Sequence, residues 1–224
     1  MGSNWKSNSV TLYPHILDWL CGELLGDGCL YHPKGGVSAK FQYSSKYMEY
    51  TWYVAKTLDS YGIRQSGKIC KRISKSDLVE KECTTYQYQS LSYIELQILY
   101  NLWYPEGKKI VPEGLGLPPV TCRQWYMGDG SLVHSRLKRP CINMSTQTFP
   151  VEGVNWLVSQ LVALGFKASR QPNSNSIYIS PYSVGDFLDY IGECPVGCYK
   201  YKWDLDNEIT LEHLFKRMEE YSNV

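Results

Sequence analysis

The chain has 224 residues, of which 43% are hydrophobic and 20% charged, and this length is sufficient for one large domain or two small ones. It contains no run of about 18 apolar residues, and its N-terminus, MGSNWKSNSV, has no apolar signal core, so we expect neither a membrane span nor secretion. The formal net charge of +1 excludes a uniformly basic protein.

Positive charge is nevertheless concentrated in two stretches. Residues 28–75 contain nine Lys and Arg against two acids, and residues 131–170 contain five against one. Residues 203–224 contain two basic and six acidic residues. Segregation of this kind is typical of a face that binds a polyanion, although a chance cluster on a solvated surface is the alternative.

The eight cysteines do not suggest a metal or disulfide framework. None forms a CxxC pair, and the CxxxC spacing of Cys194 and Cys198 has no second ligand pair nearby. We expect reduced thiols that pack as small hydrophobic side chains.

The first predicted element is a helix that ends at an aspartate. Pro14 is typical of a first helical turn, and the stretch LCGELLGDGCL (20–30) runs into Gly-Asp-Gly at Asp27. Gly22 and Gly26 lie four residues apart on one helix face, so they allow close contact with a second helix.

The rest of the first half predicts strands at 29–34, 39–45, 67–74 and 84–90, and helices at 46–63 and 92–103. Polar and apolar residues alternate in KFQYSS, GKICKRIS and TTYQYQS, which is typical of a sheet with one buried and one solvated face. The alternation assigns Ile69 and Ile73 to the buried face.

The second half repeats the same succession. A stretch rich in proline and glycine precedes CRQWYMGDGSL (122–132), whose Asp129 lies 102 residues after Asp27. Strands are predicted at 131–136, 140–147, 167–171 and 176–180, with helices at 151–166 and 182–191. We therefore assign 1–104 to an N-terminal half, 105–118 to a linker and 119–224 to a C-terminal half with a helical tail.

Each half is thus predicted to be αββαββα, giving an α+β fold with antiparallel sheets and two pseudo-symmetric halves. If the two motif helices pack side by side, Asp27 and Asp129 become adjacent, and paired carboxylates suit a divalent-metal phosphodiesterase site. One Gly-Asp-Gly alone could be a plain helix-terminating turn. The bulky Gln124 at the position of Gly22 makes the match imperfect.

The polar faces of the predicted strands carry Lys, Arg, Gln, Asn and Ser, which read phosphates and base edges in a DNA major groove. An ordinary solvated sheet face is the alternative. The candidate DNA-binding residues are Lys34, Lys40, Gln42, Ser44, Lys68, Arg72, Ser74, Gln87, Gln89, Arg136, Lys138, Arg139, Asn143, Ser145, Lys167 and Arg170.

CGELLGDG and RQWYMGDG resemble diverged forms of the signature of single-chain, two-motif LAGLIDADG homing endonucleases. The segments EGKKIVPEGL (106–115), MSTQTF (144–149), IYISPYSVGDFLDYI (177–191) and CYKYKWDL (198–205) resemble those of the subgroup that includes the yeast mitochondrial omega-intron endonuclease. The resemblance covers about residues 15–205, without the acidic tail.

The resemblance implies a saddle of two αββαββα halves whose sheets sit in the major groove of a long, asymmetric DNA site. It implies a monomer that cuts both strands to leave 3′ overhangs. Mg²⁺ is the implied cofactor, with Mn²⁺ as a substitute and Ca²⁺ binding without supporting cleavage. The residues carried over are Asp27 and Asp129 as metal ligands, Gly26 and Gly128 through their backbone carbonyls, and Lys109, Lys202 and Gln147 near the reacting phosphate.

Two other functions remain open at this stage: an RNA-binding intron maturase, and a non-catalytic DNA-binding regulator of the same fold. Neither needs two intact acids, so Asp27 and Asp129 favour the nuclease. We expect an intracellular protein, and four alanines against 19 tyrosines hint at an AT-rich coding genome such as that of a mitochondrion.

Overall fold

The computed structural model describes residues 7–76, 79–135 and 138–205, without the side chains of 75, 76, 79–82, 135 and 138. The predicted C-terminal helix lies outside the described residues from position 206 onward. Within the described part, no helix combines the length and apolar character that crossing a membrane requires.

The two halves have the same order of elements, as the sequence repeat predicted. The N-terminal half contains α1 (Pro14–Leu25), β1 (Cys29–Tyr31), β2 (Lys40–Ser45), α2 (Met48–Ser60), β3 (Cys70–Ser76), β4 (Val79–Gln89) and α3 (Ile94–Trp103). The C-terminal half contains α4 (Pro119–Asp129), β5 (Gly130–Ser135), β6 (Lys138–Met144), α5 (Val151–Ala163), β7 (Ala168–Gln171), β8 (Ser176–Ile179) and α6 (Val184–Ile191). Short 3₁₀ helices cover Pro105–Gly107, Pro181–Ser183 and Gly197–Lys202.

Each half forms a four-stranded antiparallel sheet, in the order β1-β2-β4-β3 and β5-β6-β8-β7. Because directly opposed residues share a face, the register places alternate residues of each strand on one side. Phe41, Tyr43 and Tyr88 are buried in the first sheet, and Ile142 and Ile179 are buried in the second. The α+β architecture predicted from the sequence is confirmed.

The predicted burial of Ile73 is wrong, since 57% of its surface is exposed. Ile73 pairs with Thr84, whereas the last pair between β2 and β4 joins Ser45 to Tyr86. This part of the β3–β4 hairpin therefore extends past the end of its neighbouring strand, where no third strand flanks it.

The two motif helices end differently. Helix α4 ends at Asp129, as predicted, but α1 ends at Leu25 and leaves Asp27 in the following turn. The amide of Gly28 donates a hydrogen bond of 2.8 Å to the carbonyl of Glu23, which closes this turn beneath Asp27.

Helices α1 and α4 pack side by side at a contact that glycine makes possible. A Cβ atom on Gly22 would lie 2.6 Å from the carbonyl oxygen of Thr121 and 2.7 Å from Cβ of Gln124. A Cβ on Gly128 would lie 3.1 Å from Cα of Gly26. Gln124 thus fills the space that Gly22 leaves, so the larger side chain in the second motif is accommodated by the smaller one in the first.

Replacing Gly22 with alanine is expected to destabilise the fold, because the new methyl group meets backbone atoms that cannot move independently. We expect a loss of about 1–3 kcal/mol in the free energy of unfolding, measured by urea denaturation. The matched control is Gly185→Ala in α6, where no atom lies within 4 Å of an added Cβ. That variant should be neutral or more stable by up to about 1 kcal/mol. Equal urea midpoints for the two variants would contradict a close helix contact at Gly22.

Candidate active site

The helix contact places Asp27 and Asp129 at the same end of the α1–α4 pair. The position where a Cβ would extend from Gly128 lies 3.1 Å from the backbone nitrogen of Asp27, so the two motif turns are in contact. Burial, with a contribution from the neighbouring Asp27 carboxylate, raises the pKa of Asp129 to about 7. Burial also raises the pKa of Asp27, although the charges of Lys202 and Lys109 oppose this rise. The two acids therefore share one electrostatic environment.

Two lysines converge on the motif turns, one on each. The Lys109 ammonium donates to the carbonyl oxygens of Gly28 at 2.9 Å and Gly26 at 3.5 Å. The Lys202 ammonium donates to the carbonyl of Met127 at 2.6 Å, with those of Tyr126 and Gly128 at 3.3 and 3.4 Å. A lysine therefore contacts backbone carbonyls at both motif turns, just as the motif itself occurs twice in the sequence.

Burial lowers the pKa of Lys202 to about 8 and also lowers that of Lys109, while the two aspartates partly restore the charged form of each lysine. Only 5% of the Lys202 surface is exposed. Two carboxylates and two ammonium groups therefore occupy one partly dehydrated region. A positive ion or a proton is favoured between the acids, and a phosphate anion is favoured beside the lysines.

The oxygen atoms at this junction suit a hard divalent cation. Asp27 and Asp129 offer carboxylates, and Gly26 and Gly128 offer backbone carbonyls, which is the all-oxygen donor set that Mg²⁺ and Mn²⁺ prefer. Among the described residues no group of three or more His, Cys, Asp or Glu could hold a metal. Asp27 and Asp129 come from different halves, so a cation held by both carboxylates would be shared between the halves, with its remaining positions taken by water or by oxygens of a substrate.

The structure places Gln147 in the turn after β6, exposed and two residues beyond Ser145, whose amide donates to the Asp129 carbonyl at 2.9 Å. The equivalent position in the first half is Lys46. Gln42 pairs with Cys29 in the first sheet, and Asn143 pairs with Ser131 in the second, so Gln42 and Asn143 are equivalent. Lys46 follows Gln42 by the same number of residues as Gln147 follows Asn143. The Lys46 charge contributes to the lowered pKa of Lys202. Lys46 was not predicted as a site residue, although its position in the repeat, equivalent to that of Gln147, was a usable signal.

A buried carboxyl group was also missed. Glu23, with 1% of its surface exposed, accepts hydrogen bonds from the hydroxyl of Tyr50 and, at 2.8 Å, from the amide of Gln124. Burial raises its pKa to about 8, so the folded protein holds Glu23 in its neutral form at pH 7. Glu23 and Gln124 thus join the two motif helices. Their signal in the sequence was a polar residue in each motif, shortly before Gly-Asp-Gly.

In the N-terminal sheet the predicted DNA-binding residues share one face. Gln42 opposes Gln89, and Ser44 opposes Gln87, which is itself opposite Cys70 in β3. A groove of 490 Å³ reaches from Asp27 along this face. The remaining candidates in this half are Lys40, Lys68, Arg72 and Ser74, which continue the same alternation, and Lys34, which is exposed in the loop after β1.

In the C-terminal sheet Arg139, Asn143 and Ser145 continue one alternation along β6, on the face opposite buried Ile142. A groove of 350 Å³ includes Asn143 on this face. Lys167 precedes β7, and its ammonium lies 5.0 Å from the ring centre of Tyr182. Lys138 begins β6 but its side chain, like all of Arg136, lies outside the described residues.

Arg170 is not brought together with the other candidates. It pairs with buried Ile177, which puts it on the side of the sheet that packs against α5. Its guanidinium donates to the side-chain oxygen of Asn155 on α5 at 3.1 Å. Strand register therefore separates Arg170 from the polar face, although its charge suggested a DNA contact.

Comparison with known proteins gives one family. A model of the LAGLIDADG DNA endonuclease family matches residues 17–187. An uncharacterized protein of Methanocaldococcus jannaschii is 27% identical over 143 residues, a match that covers 64% of this chain and 54% of that protein. The chain therefore spans about half the length of this relative.

Two solved structures match this chain to different extents. The homing endonuclease I-WcaI bound to its DNA recognition sequence superimposes with a TM-score of 0.72 and 19% identity, over 90% of this chain and 94% of that one. I-DmoI in complex with DNA and Mn superimposes with a TM-score of 0.48 and 16% identity, over 78% and 94% of the two chains. The likeness to I-WcaI shows a shared fold.

The neutral state of Glu23 leads to a test by pH. The folded chain keeps this proton up to about pH 8, whereas the unfolded chain loses it near 4.5, so Glu23 lowers stability as pH rises through this window. Glu23→Gln has no such proton. Its unfolding free energy should therefore rise relative to wild type by up to about 1.4 kcal/mol per pH unit between pH 5 and 8.

Urea denaturation of wild type and Glu23→Gln at several pH values measures this difference in unfolding free energy. Near pH 4 the difference should no longer change, and a difference that stays constant from pH 4 to 8 would contradict a buried neutral carboxyl group.

Proposed function

Because the chain belongs to the LAGLIDADG DNA endonuclease family, we propose that it is a site-specific endonuclease that cuts both strands of DNA. The observation that supports this proposal most strongly is the convergence of one carboxylate from each half. Asp27 and Asp129 lie where two polar sheet faces begin, beside half-buried Lys109 and buried Lys202. We further propose that this enzyme belongs to a mobile intron or intein.

Asp27 and Asp129, with the carbonyls of Gly26 and Gly128, would hold the divalent cation. When bound, such a cation activates water and stabilises the leaving oxygen of a phosphodiester. We expect Mg²⁺ to serve and Mn²⁺ to replace it, whereas Ca²⁺ should bind without supporting cleavage. The pKa of about 7 for Asp129 means that protons compete with the cation at and below neutral pH.

The lysines have a different role in this proposal. Their ammonium groups lie at carbonyls of the motif turns, next to where the scissile phosphate would approach, and they would stabilise its added negative charge. The lowered pKa of Lys202, about 8, also allows this residue to exchange a proton at Nζ near neutral pH. Gln147 and Lys46 would orient water or phosphate from the strand ends.

The two sheets would provide recognition. Their polar faces carry donors and acceptors suited to base edges in the major groove, and the motif turns between them would lie over the minor groove. The two halves present different side chains, so the target should be long and asymmetric and the active form a monomer. We expect cleavage to leave 3′ overhangs.

The proposed function is tested with a randomised plasmid library and Mg²⁺. Wild type should linearise plasmids at a recurrent site, whereas the Asp27→Asn, Asp129→Asn double variant should bind the same DNA without cutting it. Removing both charges should lower the cleavage rate by more than about 10³-fold, because no carboxylate remains to hold the cation. Ca²⁺ in place of Mg²⁺ is the control for binding. Binding by wild type without cleavage in Mg²⁺ would exclude the nuclease and favour a maturase or a DNA-binding regulator.

Arg72 and Arg170 form a matched pair for the DNA-binding face. Arg72 is exposed on the polar face of the first sheet, and Arg170 is bonded to α5 on the far side of the second. Arg72→Ala should weaken DNA binding and reduce the slope of log K against log salt by about 1, while Arg170→Ala should leave that slope unchanged. Fluorescence anisotropy at several salt concentrations measures both. Equal effects for the two variants would argue against the assigned face.

A further inference from the structure

Glu49 on α2 of the N-terminal half makes a contact that the proposed reaction does not yet explain. Its carboxylate accepts hydrogen bonds from the backbone amides of Gly197 at 2.7 Å and Cys198 at 2.9 Å. These amides begin the 3₁₀ helix Gly197–Lys202, where the first N–H groups have no partner inside the helix. Two hydrogen bonds to one carboxylate fix both the position and the orientation of this helix start.

Gly197 is needed for this approach. A Cβ atom at this position would lie 3.2 Å from Oε1 of Glu49, which is closer than ordinary van der Waals contact. The glycine therefore allows the carboxylate to reach the backbone directly.

Aromatic packing holds the same 3₁₀ helix against the N-terminal half. Tyr199 is buried, with its ring centre 5.3 Å from that of Tyr47 and 4.9 Å from that of Tyr50. Tyr47 and Tyr50 lie at the start of α2, beside Glu49. The segment that belongs to the C-terminal half in sequence is thus docked on the N-terminal half in space.

The last residue of this 3₁₀ helix is Lys202, whose ammonium reaches back to the turn of the second motif. Its Nζ lies 2.6 Å from the Met127 carbonyl and 4.7 Å from the ring centre of Tyr199. The hydroxyl of Tyr126 donates to the Lys202 carbonyl at 2.6 Å. The Glu49 contact and Lys202 therefore lie at the two ends of one 3₁₀ helix of six residues.

We propose that Glu49 is a positioning residue that fixes Lys202 at the active site through the 3₁₀ helix Gly197–Lys202. The catalytic part of this inference rests on the proposed endonuclease function. It also means that the lysine beside the second motif is positioned by a side chain of the first half.

Glu49→Ala should lower the single-turnover cleavage rate by roughly 10- to 100-fold, because displacements of about 1 Å at a reacting centre have effects of this size. DNA affinity should stay the same, since Glu49 contacts the 3₁₀ helix and does not lie on the polar sheet face. Glu49→Gln retains one acceptor oxygen and should restore part of the rate. Gly197→Ala, which leaves the Glu49 charge intact, should lower the rate as well.

A double-variant cycle tests whether Glu49 acts through Lys202. In a Lys202→Met background, Glu49→Ala should have no further effect on the cleavage rate, because the group it positions is gone. Asp59→Asn is the matched control, since it removes one negative charge from the same helix ten residues, or about 15 Å, away. It should cleave at the wild-type rate. An equal rate loss from Glu49→Ala in both backgrounds would overturn the proposal.

Two further measurements do not depend on cleavage. In Glu49→Ala and Glu49→Gln, hydrogen exchange at the amides of Gly197 and Cys198 should be faster than in wild type. An amine-reactive reagent should modify Lys202 several-fold faster, with Lys109 as the unchanged internal reference. A chain that never cuts DNA would contradict the proposed function alone, because exchange and labelling still report on Lys202. Unchanged labelling of Lys202 in both folded variants would overturn the positioning role.

Discussion

The close contact between α1 and α4 is the constraint on which the rest of the structure depends. Gly22, Gly26 and Gly128 remove the side-chain atoms that would hold these helices apart, and Gln124 fills the space over Gly22. The contact brings two motif turns together and, with them, two carboxylates from distant parts of the chain. It also encloses Glu23, whose neutral carboxyl group bonds across the interface. The packing of α1 against α4 therefore determines the geometry of the candidate active site.

The electrostatics of the site follow from this packing. Burial and repulsion from the Asp27 carboxylate raise the pKa of Asp129, so ionising both acids at this contact is unfavourable. Lys109 and Lys202 partly compensate but are held by backbone carbonyls of the motif turns, so they do not simply pair with the acids. The folded chain thus maintains a charge arrangement that is unfavourable by itself. A divalent cation would balance the negative charge of the two aspartates, and a phosphodiester would balance the positive charge of the two lysines.

Much of this could be predicted from the sequence because the chain repeats. The spacing of Asp27 and Asp129 and the alternation in β2, β4 and β6 gave the halves, the sheets and the paired acids. Contacts that depend on three-dimensional register could not be predicted in this way. Arg170 looked like its basic neighbours but points toward α5, and Ile73 lies beyond the end of β2. Glu23 and Glu49 were missed because their partners, Gln124 and the amides of Gly197 and Cys198, are about 100 residues or more away.

We infer that one cation site draws a carboxylate from each half of the chain. Titration of the protein with Mn²⁺, followed by electron paramagnetic resonance, tests this inference when wild type is compared with each single variant, Asp27→Asn and Asp129→Asn. Either substitution should weaken Mn²⁺ binding by at least about tenfold, because the remaining carboxylate has no protein carboxylate partner. Binding of Mn²⁺ by either single variant with wild-type affinity would contradict a shared site, since it would mean that one half holds the cation alone.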